Sequence, residues 1–160
     1  MYSEQTGNLD GHPVAGPFPG TRKGTGETSS APTLNVVLHI EENEPTFRLV
    51  EEILQDRPRI DLLWARTGAR GLKLAGQKVP ALILLDLDLP DLHGSEILAR
   101  LKNNPTTARI PVVVVSSDAK PSQIERLLKA GAHHYLIKPF DISLLLYLVD
   151  KALTRQTAVA

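Results

Sequence analysis

From residue 34 to about residue 153 the chain alternates without a break between short apolar, β-branched runs and segments with apolar residues at helical spacing. Residues 34–40 (LNVVLHI) read as a strand. Phe47, Val50, Ile53 and Leu54 then keep three-to-four spacing behind Pro45, which suits a first helical turn. Arg57-Pro58 stops that helix. Residues 60–65 (IDLLWA) form a second strand, and 67–77 a helix loosened by Gly68, Gly71 and Gly76. Further strands are predicted over 81–85, 110–115 and 134–137. Helices are predicted over 95–102, over 121–130 with Gly131 as its stop, and from the cap Asp141 to about 153. Such alternation predicts an α/β fold, a parallel sheet with helices on both faces.

The first 33 residues are unlike the rest. Glycines and prolines from Gly7 to Pro32 leave almost no periodic pattern, so a disordered tail is expected over 1–33. The folded domain is expected over 34–154 and a short C-terminal tail over 155–160. Eighteen basic side chains balance eighteen acidic ones, which argues against a nucleic-acid or anionic-membrane partner. No apolar run approaches the roughly 20 residues that span a bilayer. The N-terminus lacks an apolar signal-peptide core, so a cytoplasmic protein is expected. There is no cysteine for disulfides, thiolate metal sites or nucleophilic catalysis.

The polar residues that end the strands carry the chemistry. In a doubly wound sheet all carboxyl ends lie along one edge, where ligands bind. That edge would bring together Glu41-Glu42, Asp86, Ser116-Ser117 and Lys138-Pro139. A single strand-end aspartate more often hydrogen-bonds a turn, but the companions of Asp86 favour a functional role. Three carboxylates in one place call for a cation, and oxygen-only donors suit Mg²⁺. Asp86 is then a candidate nucleophile toward phosphorus. Lys138 supplies positive charge for phosphoryl oxygens, and Ser116 a hydroxyl donor.

The acidic pair, Asp86-x-x-Leu-Pro90 followed by Gly94, the hydroxyl residue after the fourth strand, and Tyr135-Leu-Ile-Lys138-Pro139 together resemble the receiver domain of two-component response regulators. The resemblance covers the whole segment from 34 to about 153. It implies a flavodoxin-like (βα)5 sheet in strand order 2-1-3-4-5. It also implies a stand-alone signalling protein, rather than an enzyme, that accepts a phosphoryl group on Asp86 from a histidine kinase or phosphotransfer protein, with Mg²⁺. Carried over, Glu42 is the direct metal ligand and Glu41 the outer one, with Asp86 and the Asp88 backbone carbonyl completing the protein's share. Ser116 and Lys138 bind the phosphoryl group, Lys138-Pro139 is cis, and Tyr135 turns inward with Ser116. The face built from the fourth helix, fifth strand and last helix reports the switch to an unidentified downstream protein, or to a second copy in a homodimer.

One departure matters: Glu42 stands where the family usually has aspartate, and Mg²⁺ tolerates little change in geometry. The alternative is therefore a degenerate receiver that binds partners without phosphorylation. Asp88 and Asp118 are read as solvated loop charges, His93 as a loop or cap residue, and His39 as a packing residue with one satisfied nitrogen. The Asp86-Leu-Asp88 pattern also superficially resembles haloacid-dehalogenase-type phosphatases, but the acidic pair precedes it here. On the last helix, Ile142, Leu145, Leu146, Val149 and Leu153 are assigned to the core. Leu144, Tyr147 and Leu148 are assigned to an apolar partner surface.

Overall fold

The apolar runs become β1 (Asn35–Ile40), β2 (Ile60–Ala65), β3 (Leu82–Asp86), β4 (Val112–Ser116) and β5 (His134–Ile137). All neighbours pair in parallel, in the order β2-β1-β3-β4-β5. Between them run α1 (Glu44–Leu54), α2 (Gly68–Lys78), α3 (Gly94–Asn103) and α4 (Pro121–Lys129), with α5 (Ile142–Thr157) last. This is the expected flavodoxin-like arrangement. The computed structural model describes residues 33–157. The chain divides into Met1–Ser30 and Ala31–Ala160, and the tail expected over 1–33 lies, Thr33 apart, outside the described residues. Among the described residues no helix is long and apolar enough to cross a membrane.

Every residue of β3 and β4 is buried, because helices cover both faces of the sheet. Alternate residues of β3 serve two cores. Ile83 and Leu85 pack with α2, α3 and α4 through Leu74, Leu98 and Leu127. Leu82 and Leu84 pack with α1 and α5 through Val50 and Val149. Helix starts follow local chemistry: Asn43 Oδ1 accepts from Thr46 N–H at 2.9 Å, and Asp141 Oδ1 accepts from Leu144 N–H at 3.1 Å. Gly131, at φ +110°, carries the chain out of α4. β4 begins two residues later than expected, after Pro111, which has no N–H to donate to a ladder.

The last helix corrects several expectations. Its core stripe is Leu145, Leu148, Val149 and Ala152, at i, i+3, i+4 and i+7. Leu148 is thus a core residue, 7% exposed, and not part of a partner surface. Leu144 packs at the margin of that core, while Ile142, assigned to the core, is 49% exposed. Of the three residues assigned to the partner surface, Tyr147 alone is strongly exposed, at 57%. The helix also continues to Thr157, through part of the expected tail, since no glycine or proline follows Asp141 to stop it.

Candidate functional site

The carboxyl ends of β1, β3 and β5 and the loop after β4 enclose one polar pocket. Its walls include Glu41, Glu42, Asp86, Asp88, Ser117 and Lys138. Lys138 Nζ donates to Glu41 Oε2 at 2.9 Å and lies 3.5 Å from Asp86 Oδ1. Asp86 is buried, and that burial pushes its carboxyl up to about 6, with the Glu41 charge adding to the effect. Lys138 and the Asp88 backbone N–H pull it back down. The strand ends foreseen from the sequence therefore do converge around Asp86.

Each loop that brings these groups together is tied locally. Glu41 is buried, its Oε1 accepting from Asn43 N–H at 2.9 Å, whereas Glu42 is exposed at the rim. The loop after Asp86 is tied to the start of α2. The Asp91 carboxylate accepts from Gly68 and Ala69 N–H at 2.8 and 2.9 Å, which holds it below the usual carboxylate range. Gly94 closes the same loop, donating to Leu87 O at 2.9 Å. A Cβ there would stand 2.6 Å from the Asp86 carbonyl oxygen, so only glycine allows this approach. Asp88 is exposed, and His93 caps α3, its ring accepting from Ser95 N–H at 3.2 Å.

Ser116 is buried and its hydroxyl accepts from Asp118 N–H at 3.1 Å. Ser117, expected at this edge beside Ser116 but given no role of its own, reaches the pocket wall instead. Tyr135 already lies inward, its hydroxyl donating to Asp118 O at 2.6 Å. Ser116 and Tyr135 thus hold the same loop through Asp118. The Lys138–Pro139 bond is cis. His39 departs from expectation: both ring nitrogens are buried without a partner, and Glu41 Oε2 stands 3.9 Å away. Its ring packs against Phe47. Burial first, and then the Lys138 charge, lower its pKa to about 3, so the ring is neutral.

Among the described residues, no three His, Cys, Asp or Glu side chains converge closely enough to hold a metal ion alone. The acidic walls nonetheless suit a hard cation that keeps much of its water and takes only one or two carboxylates.

A family model for the response regulator receiver domain matches residues 37–150. The chain belongs to that family. This receiver domain is 31% identical over 108 residues to the histidine kinase P4 of Formosa agariphila, covering 68% of this chain but only 8% of the kinase. It is 30% identical over 106 residues to the polar-differentiation response regulator DivK of Brucella ovis, covering 66% of this chain and 85% of that one. In structure it resembles the Mn²⁺-bound form of response regulator Rcp1, with a TM-score of 0.61 and 31% identity. That likeness covers 72% of this chain and 88% of Rcp1.

Proposed function

We propose that this receiver domain accepts a phosphoryl group on Asp86 from a phosphohistidine donor, a histidine kinase or phosphotransfer protein, and signals by protein contacts. The observation that carries the reading is the Asp86 carboxylate at the end of a fully buried strand, with Lys138 Nζ 3.5 Å away. An Asp86 oxygen forms the bond to phosphorus as the donor's P–N bond breaks, and the electron pair leaves with the donor imidazole. With a pKa of about 6, Asp86 is mostly ionised at neutral pH, as attack requires. Lys138 faces the phosphoryl oxygens, and Ser116 turns its hydroxyl to them by giving up its bond to Asp118. Tyr135, hydrogen-bonded to the same Asp118, follows that loop and passes the change to the α4–β5–α5 face.

Asp86, Glu42 and the Asp88 carbonyl would hold Mg²⁺, with Glu41 in the outer shell. The ion would supply positive charge toward the phosphoryl oxygens. The Mn²⁺-bound form of Rcp1 supports a divalent ion in such a domain, without naming its ligands. A regulator acting in the cytoplasm on a downstream protein, or as a homodimer through α4–β5–α5, completes the reading. Incubation with acetyl phosphate and Mg²⁺ tests it: intact mass spectrometry should show one phosphoryl adduct, absent from Asp86→Asn. No adduct under any divalent ion would instead favour a module that binds without phosphorylation, the reading that the longer, exposed Glu42 supports.

A further inference from the structure

Trp64 is the chain's one tryptophan, and it touches the acidic loop without lining the pocket. It occupies the next-to-last position of β2, opposite His39 in register. Its indole N–H donates to the Glu41 backbone carbonyl at 2.7 Å. The ring stacks on Phe47 of α1, with centroids 4.3 Å apart and planes 3° from parallel. The Arg66 guanidinium lies over the indole, 4.1 Å from its centroid, and binds Glu44 Oε2 at 2.8 Å. These partners, Glu41, Glu44 and Phe47, bracket the turn from β1 into α1.

An indole N–H only donates, and its direction is fixed once the ring is stacked. The Glu41 carbonyl and the Glu42 N–H belong to one rigid peptide plane. Fixing that carbonyl therefore fixes the direction in which the chain presents both acids. We infer that Trp64 is a positioning residue: its N–H sets the peptide plane between Glu41 and Glu42. Glu41 is thereby turned inward to Lys138, and Glu42, one methylene longer than the family's usual aspartate, is held at the pocket rim for a divalent cation. The first half stands on geometry alone; the second rests on the metal-dependent reading above.

Because Trp64 is the one tryptophan, growth with 3-benzothienylalanine replaces its N–H by sulfur at this position only, leaving ring shape and stacking in place. Two readouts are compared with the natural protein: metal-free amide exchange by NMR and Mg²⁺ titration by calorimetry. The Asn43 N–H, bonded to Glu41 Oε1, is expected to exchange about tenfold faster while the Leu85 amide of β3 is unchanged. The Mg²⁺ dissociation constant is expected to rise about fivefold to tenfold. Trp64→Phe, which keeps an aromatic ring without the N–H, should repeat both effects. Unchanged Asn43 exchange would overturn the inference. Faster exchange with equal Mg²⁺ affinity in both proteins would overturn the role toward Glu42. Faster exchange in a protein that takes no Mg²⁺ even in natural form would support the anchor and defeat the metal reading instead.

Discussion

The Lys138 ammonium is hydrogen-bonded to Glu41, 2.9 Å from Oε2, and this bond joins the ends of β5 and β1 across the ends of β3 and β4. Asp86 comes second, at 3.5 Å. The lysine is thus held over Asp86 by an acid that is itself buried. Lys138→Met should leave the buried Glu41 with its Asn43 N–H bond but without a cationic partner, and cost about 2 kcal/mol of stability in urea denaturation. It should also raise the Asp86 pKa above its present value of about 6, because Lys138 now lowers it. Carboxyl-carbon NMR titration reads this directly, and an unchanged or lower pKa would falsify the arrangement.

Two buried groups give opposing pH dependences in the metal-free protein. His39 is held at about 3 against an ordinary 6.5. Its contribution to stability is present above the unfolded value and lost as pH falls toward 3. Asp86 is raised to about 6 from 3.8. Its contribution is present below the unfolded value and lost as pH rises through 6. Between pH 4 and 6 the two offset one another. Asp86→Asn should therefore steepen the loss of stability on acidification by about 1 kcal/mol per pH unit, and His39→Leu should flatten or reverse it. Denaturant midpoints across this range test the pair; profiles parallel to the natural protein's would refute both assignments.

A methyl group at Gly94 would meet backbone, the Asp86 carbonyl oxygen at 2.6 Å and Leu87 Cα at 2.7 Å, neither of which can swing aside. Gly94→Ala should cost about 1–3 kcal/mol and displace Asp86. Gly76 lies within α2 with nothing inside 4 Å of the added carbon. Gly76→Ala should instead add about 0.5–1 kcal/mol. Thermal unfolding of the two variants should move in opposite directions, and movement in the same direction would refute the contrast.

On α5, Leu148→Ala should destabilise by about 2–5 kcal/mol, because its side chain fills the core shared with Val149. Tyr147→Glu should change stability by less than about 0.5 kcal/mol. It should alter partner binding or self-association if this face is the docking surface. Light scattering and urea denaturation separate the two effects, and a destabilised Tyr147→Glu would contradict its exposed position.

The order of elements was legible because a parallel sheet covered on both faces demands continuous apolar runs, and the turns between them carry proline or glycine. Asp86, Glu41 and Lys138 were legible because the carboxyl ends of parallel strands share one edge. The phase of α5 was not. From Ile142 to Val149 it has only one polar residue, Ser143, so several wheels fit. The small Ala152 decides which side is buried. Nor could the sequence show that His39 stands just outside hydrogen-bond range of Glu41. The Trp64 bond to Glu41 joins residues 23 positions apart and depends on strand register rather than on any local pattern.

β3 is a party wall. With all five of its residues buried, its alternate side chains belong to different rooms, one furnished by α2, α3 and α4 and the other by α1 and α5. Changes deep in separate rooms, such as at Leu98 and Val149, should add, because they share no contact. Changes that press on the wall from both sides should not. Asp86 is the last residue of that wall, so the strand that carries the carboxylate is packed from both rooms.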